Sequence, residues 1–245
     1  MEKLMVIGDI HTRYEKVERI ISKYQKSHKF IFMGDYFDQF GDTPELNAST
    51  AHWLKTQMEK RPDWVYLLGN HDVIYQLHFS CMCSGFSNQK KTAINEVMKI
   101  EDWNKLKYFH HENGWWFSHA GITKYWFQHP MSEGINIDNI QRTIDDAVIK
   151  LKAANHSNAI WASSHARGGN HLVGGIVWQD WEDLELIPNF KQVVGHTPLK
   201  RIQAIADNVI NSIIINVDSS AVGYHHEVLE IDEQGYHKTI DTSYI

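Results

Sequence analysis

Short apolar runs rich in β-branched and aromatic residues recur along the chain, and each breaks off at a small residue followed by a polar one. Leu4 to Ile7 leads into Gly8-Asp9-Ile10-His11, and Phe30 to Met33 into Gly34-Asp35-Tyr36-Phe37-Asp38. Val65 to Leu68 leads into Gly69-Asn70-His71-Asp72, Trp115 to Phe117 into Ser118-His119-Ala120-Gly121, and Val193-Val194 into Gly195-His196-Thr197-Pro198. Runs this short, bounded by turn residues, predict buried strands. Between the first three, Val17, Ile20, Ile21 and Tyr24 repeat at helical spacing, as do Leu46, Thr50, Trp53, Leu54 and Met58. Strand, helix, strand predicts parallel βαβ units. Further helices are expected over 91–98 and 137–151. Ser212 to Val217 and Glu227 to Ile231 read as strands with no helix between them, so the sheet begins parallel and ends antiparallel. No linker or repeat divides the chain, and residues 1–245 are expected to form a single domain.

Composition narrows the picture. A net charge of -6 argues against a broad nucleic-acid surface, since such surfaces carry clustered Lys and Arg. An acidic chain can still take an anionic substrate if metal ions supply local positive charge. No apolar stretch approaches the roughly 20 residues of a membrane span, and the N-terminal apolar stretch is too short for a signal peptide. Cys81 and Cys83 read as reduced thiols, and a cytoplasmic protein is expected. The stretch from Arg167 through Gly168-Gly169 to Gly174-Gly175 reads as the most mobile loop, either a surface connection or a substrate lid.

Five strand ends deliver Asp, Asn or His at the same point: Asp9 and His11, Asp35 and Asp38, Asn70 with His71 and Asp72, His119, and His196. A lone Asp there is usually a turn or helix cap, and a lone His a satisfied surface or core residue. Turn chemistry alone does not explain the same choice at all five. In open α/β sheets functional groups collect beyond the carboxyl ends of the strands. Imidazole, carboxylate and amide oxygen without thiolate suit first-row divalent ions. The set is large enough for two ions sharing one carboxylate, a centre able to generate hydroxide and clamp a phosphoryl group.

Gly8-Asp9-Ile10-His11, Gly34-Asp35-x-x-Asp38, Gly69-Asn70-His71-Asp72, Ser118-His119-Ala120-Gly121 and Gly195-His196-Thr197-Pro198 together resemble the calcineurin-like metallophosphoesterases. The resemblance runs in order to about Asp218-Ser219-Ser220 and is closest to the phage and bacterial serine/threonine phosphoprotein phosphatases, with the diadenosine-tetraphosphate hydrolases nearby. It implies a layered α/β/β/α sandwich of mixed sheets with the metal site at the carboxyl ends of the strands. It implies two divalent ions, manganese first with iron, zinc or nickel as alternatives. Asp9 and His11 would hold the first, Asp35 would bridge, and Asn70, His119 and His196 would complete the second. His71 would act as general acid, oriented by Asp38. Asp72 reads as a supporting partner or helix cap. The implied partner is a phosphorylated substrate, a phosphoprotein or a nucleotide; no nucleic acid or membrane is expected, and the chain is expected to be a monomer.

The pattern departs at the phosphate clamp. The phosphoprotein phosphatases continue Gly-Asp-x-x-Asp with Arg-Gly, where this chain has Gln39-Phe40. Thr12 stands where the first motif ends in Gly, and Gln179-Asp180 follows Trp178 where a second arginine is often found. Arg167 is the preferred replacement, with Arg13 and Arg201 as alternatives, because a guanidinium suits phosphate oxygens. Thr197-Pro198 follows His196 in place of the x-His of many phosphodiesterases and nucleases, which favours the phosphatase and dinucleoside-polyphosphatase branches. A phosphomonoesterase is therefore the leading expectation, a dinucleoside-polyphosphate hydrolase the second, and a catalytically silent scaffold the third. The tryptophans Trp115, Trp116, Trp178 and Trp181 read as core, and His110-His111 and His225-His226 as surface pairs.

Overall fold

Strand β1 (Lys3–Ile7) explains the layering: after the exposed Lys3 all of its residues are buried, so both of its faces need cover. The computed structural model describes residues 2–76, 83–128, 138–152, 159–220 and 227–245. Leu4 and Val6 pack with Trp115, Phe117, Val193 and Ile215, whereas Met5 and Ile7 pack with Val17, Ile20 and Ile21 of α1 (Tyr14–Tyr24). The period-2 alternation of a strand thus splits one apolar run between a sheet–sheet interface and a sheet–helix interface. Each fully buried aliphatic side chain contributes about 1.5–3 kcal/mol of transfer free energy.

The pattern read as one sheet is two. The first has the order β10-β9-β1-β2-β3, where β2 is His28–Phe32, β3 Val65–Tyr66, β9 Glu227–Ile231 and β10 His237–Asp241. β1, β2 and β3 are parallel, and β9 and β10 add on antiparallel. The second has the order β4-β5-β6-β8-β7, where β4 is His110–Glu112, β5 Trp115–Phe117, β6 Lys191–Val194, β7 Gln203–Asp207 and β8 Ser212–Asn216. β5, β6 and β8 are parallel and both edges antiparallel. The outer side of the first sheet is covered by α1 and by α2 (Pro44–Lys60), whose Thr43 cap accepts from Leu46 N and whose Pro44 opens the first turn. Among the described residues the remaining α-helices are α3 (Asn70–Gln76), α4 (Asn88–Val97), α5 (Ile100–Trp103), α6 (Lys124–Gln128) and α7 (Ile140–Lys152). The result is the expected layered α/β sandwich of two mixed sheets.

The helix expected over 137–151 is found as α7, its first expected residue lying outside the described ones, as do Cys81 and the His225-His226 pair. Trp115, Trp178 and Trp181 are buried as expected. His111 is exposed, as expected of a surface residue, and its ring stacks on Trp116 at 3.9 Å, while His110 is half-buried. The stretch read as mobile is tied down, with Gly169 N donating to Ser164 O, His171 N to Ser163 O and Gly175 N to Ala162 O. Among the described residues no helix is long and apolar enough to cross a membrane.

Candidate metal centre

The carboxyl ends of β1, β2, β3, β5 and β6 bring Asp9, His11, Asp35, Asn70, His71, His119 and His196 to one place. Their loops interlock: Ile10 N and His11 N both donate to Asp35 O, at 3.1 and 2.7 Å, and Thr12 N donates to Tyr36 O at 2.8 Å. Asp72 is fully buried and accepts from the backbone N–H of Asp35, Tyr36 and Gly69 at 2.7–2.9 Å. It pins two ligand loops together, the supporting role expected of it. Among the described residues, eight non-glycines have positive φ; His11, Thr12, Asp35, Asp38 and His196 are five of them, and the other three are turn asparagines. Backbone strain is therefore concentrated where the side chains must converge.

Close approach also dictates Gly69. A Cβ there would lie 2.0 Å from Asp35 Oδ1 and 2.7 Å from His119 Cε1. Gly69→Ala is accordingly expected to displace Asp35, to cost about 1–3 kcal/mol of stability by overpacking, and to lower metal content in the purified protein. Metal analysis and thermal melting check this; a variant with unchanged metal content contradicts it.

Two ligand groups share Asp35. One atom each from Asp9, His11 and Asp35 lie within 4.8 Å of one another, as do atoms of Asp35, His119 and His196. Backbone carbonyls set the imidazoles. His11 Nδ1–H donates to Asp38 O at 2.6 Å, and His119 Nδ1–H to Met33 O at 2.8 Å, so each presents Nε2. His119 Nε2 then faces Asn70 Oδ1 at 3.0 Å and Asp35 Oδ2 at 3.4 Å. Among the described residues His196 Nε2 is buried with no hydrogen-bond partner, while its backbone N–H donates to the Asp9 carboxylate at 3.0 and 3.1 Å. Lone pairs on N and O converging from several chain segments, one of them unpartnered, fit a divalent cation on each side of Asp35.

The electrostatics agree. Burial, reinforced by Asp218, holds the Asp9 carboxyl well above the ordinary range. Burial also acts to raise Asp35, but His119, His71 and His11 outweigh it and hold that carboxyl far below the usual value. Burial opposes charge on His119, yet Asp35 and Asp9 push its imidazole up to about 10. Burial, with His119 and Arg167 beside it, pushes His196 well down, leaving a neutral ring with a free lone pair. The pocket demands positive charge, which a proton on His119 supplies poorly and a metal ion supplies directly.

His71 stands beside this group with its Nδ1 at 3.1 Å from Asp38 Oδ2, as expected of an acid and its orienting carboxylate. Burial opposes protonation of His71, but Asp35 and Asp38 outweigh it and raise the imidazole. Four residues of the site escaped the sequence reading. Tyr75 OH donates to Asp38 Oδ1 at 2.6 Å, and Lys90 Nζ reaches the same oxygen at 3.0 Å. Cys83 Sγ accepts from Asn70 Nδ2 at 3.2 Å, which turns Asn70 Oδ1 toward His119. Asp218 is fully buried just beyond β8, and its Oδ2 has no hydrogen-bond partner among the described residues. Only Asp218 had a signal: an apolar strand ending in Asp, without the leading glycine or serine of the other ends.

The arginines separate cleanly. Arg201 is 82% exposed at the side chain and its Nε lies 4.0 Å from Glu227 Oε1. Arg13 opens α1, directly after the His11-Thr12 turn, and is half-buried. Arg167 Nη2 donates to Thr197 Oγ1 at 2.9 Å and its Nε lies 2.8 Å from Asp180 Oδ2, which holds the guanidinium next to the His196 motif. Two departures from the family pattern meet each other: Thr12 Oγ1 donates to Gln39 Oε1 at 3.1 Å. Gln179 is engaged too, accepting from Gly174 N and donating to Asp180 O.

A family model described as calcineurin-like phosphoesterase matches residues 2–200. A comparison with curated proteins returned no match. Among solved structures, a mutant cold-active protein tyrosine phosphatase is similar over 98% of this chain and 81% of its own, at 16% identity and a TM-score of 0.53. A serine/threonine phosphatase from Saccharomyces cerevisiae is similar over 98% of this chain and 80% of its own, at 12% identity and a TM-score of 0.53. A putative diadenosine tetraphosphatase is similar over 98% and 93% at 15% identity, with a TM-score of 0.45 that is too low to carry an argument.

Proposed function

This chain belongs to the calcineurin-like phosphoesterases, metal-dependent phosphoric ester hydrolases, and from that premise we propose that it is a phosphomonoesterase acting in the manner of the serine/threonine phosphoprotein phosphatases. The observation that carries the reading is the pair of ligand groups sharing Asp35, with the His71–Asp38 pair beside them. When bound, two divalent cations, manganese first among them, supply charge that grips phosphate oxygens and acidifies a water nucleophile. Asp9 and His11 would hold the first, Asn70, His119 and His196 would hold the second, and Asp35 would serve both.

The chain's own groups do the rest. His71 donates a proton from Nε2 to the leaving oxygen, while Asp38 Oδ2 holds its Nδ1 and stabilises the charged ring. Arg167, fixed by Thr197 and Asp180, takes the place of the arginines at Gln39 and Gln179. A monoester dianion carries one more negative charge than a diester, so a guanidinium beside the centre favours the monoester. Thr197 contributes to this by anchoring Arg167 from the Gly-His-Thr-Pro motif.

Charge-assisted hydrogen bonds are worth about 1.5–3 kcal/mol, so Arg167→Ala is expected to raise KM for a phosphomonoester by roughly 10- to 100-fold with metal content unchanged. Steady-state kinetics and competitive inhibition by inorganic phosphate both read this; an unaltered KM with unaltered phosphate inhibition removes Arg167 from the clamp. The function itself is tested on metal-stripped protein resupplied with manganese and offered a phosphoserine peptide, a bis-aryl phosphodiester and diadenosine tetraphosphate. Preference for the diester overturns the proposal. Preference for diadenosine tetraphosphate installs the alternative, a nucleotide hydrolase whose different substrate explains the missing arginines.

A further inference from the structure

Lysine is almost never fully buried without partners, and Lys90 is 5% exposed. It lies in the first turn of α4, where Ser87 Oγ accepts from its backbone N–H, outside every strand-end motif of the sequence. Its ammonium has three N–H donors and three acceptors: Asp38 Oδ1 at 3.0 Å, Gly85 O at 2.7 Å, and Asp42 Oδ1. Asp42 Oδ2 in turn accepts from Gln39 N at 3.0 Å and Asn47 Nδ2 at 2.6 Å, and Asn47 Oδ1 accepts from Asp38 N at 3.2 Å. The loop from Asp38 to Asp42 is therefore a closed ring of hydrogen bonds around one buried cation. Asp38 divides its oxygens within it. Oδ1 takes Tyr75 OH and Lys90 Nζ, and only Oδ2 is left for His71 Nδ1.

We propose that Lys90 is a positioning residue for the proton donor: by holding Asp38 Oδ1 from helix α4 it reserves Oδ2 for His71 and so fixes the ring that serves the leaving group. The proposal rests on the hydrolase reading above, with His71 as the acid. Without Lys90, two buried carboxylates, Asp38 and Asp42, share one loop with no cation between them and the loop must rearrange. Among the described residues Lys90 forms no hydrogen bond or ion pair with a ligand of the centre; its polar partners are Asp38, Asp42 and Gly85.

Lys90→Met tests this. Turnover of phosphoserine peptide, a poor leaving group, is expected to fall about tenfold, whereas p-nitrophenyl phosphate, whose leaving group needs no proton, should change less than about twofold; KM and metal content should hold. In an Asp38→Asn background the same substitution should cost nothing more, since its route is already cut. Equal losses on both substrates, or a full further loss in that background, overturn the proposal. If circular dichroism shows Lys90→Met unfolded, Lys90→Arg, which keeps a cation in altered geometry, should slow only the phosphoserine substrate, and no selective effect overturns it. Histidine-labelled protein gives a readout without substrate: the hydrogen-bonded Nδ1 proton of His71 should be visible by NMR in the parent and lost in Lys90→Met. A parent inactive on both phosphates would sink the functional reading, while the proton signal still decides the role of Lys90.

Discussion

Asp35→Asn is expected to empty both metal sites at once and to lower turnover by on the order of a thousandfold or more. Among the described residues Asp35 alone belongs to both ligand groups, so its charge is shared by both sites. The substitution is a clean probe. Asp35 has φ +49°, a left-handed conformation that Asn tolerates, and an amide oxygen can still accept from His71 N, which donates to Asp35 Oδ1 at 2.9 Å. The imidazoles of His119, His71 and His11, which hold Asp35 charged, lose that partner, so the variant is expected to be less stable than the parent, and circular dichroism checks that it is folded. Elemental analysis of the purified variant reads the outcome. Two retained ions with normal turnover would refute the shared-carboxylate arrangement. His11→Asn, on the Asp9 side, should empty only one site and serves as the control.

His71→Asn should do the reverse: keep both metals and slow turnover by about a hundredfold to ten-thousandfold. Its imidazole belongs to neither ligand group; its Nδ1 is committed to Asp38 at 3.1 Å, and its backbone N–H already serves Asp35. Loss of the ring therefore removes a proton donor and leaves the ligands in place. The deficit should be greatest for alkyl leaving groups and small for aryl ones, which depart without protonation. A variant that loses its metals would make His71 a ligand, and one equally slow on both kinds of substrate would deny it the acid's role. Kinetics on a pair of leaving groups, with metal analysis on the same preparation, separates these outcomes.

Much of the fold was legible because its strands and helices carry local patterns. α1 and α2 follow from apolar residues at spacings of three and four, and α4 was expected within three residues of where it begins. β7 and β10 escaped because they are edge strands with almost wholly exposed side chains: β10 presents no apolar run, and the Ala204-Ile205-Ala206 run of β7 lacks the small residue that follows the five motif-bearing runs. α3 escaped because Asn70, His71 and Asp72 read as turn chemistry, although here they form the first turn of a helix. The division into two sheets followed from the family resemblance and not from the apolar pattern. A buried strand has the same apolar composition whether a sheet or a helix covers it, so β1 alone cannot say which neighbour lies on which face.

The chain by itself determined the kinds of donor and where each would stand, because a strand that ends in glycine and a polar residue sets a side chain at the sheet's carboxyl edge by backbone geometry alone. Tertiary structure decided which donors meet. The amide of His196 reaches the carboxylate of Asp9 across a separation of 187 residues, and Lys90 reaches Asp38 across 52. Spacing carries helical and strand periods, but it holds no record of such pairings, which arise when two sheets close on each other and bury the charges between them. For the same reason the roles of Lys90, Tyr75 and Cys83 could emerge only from the folded protein: each acts through a partner that sequence distance does not select.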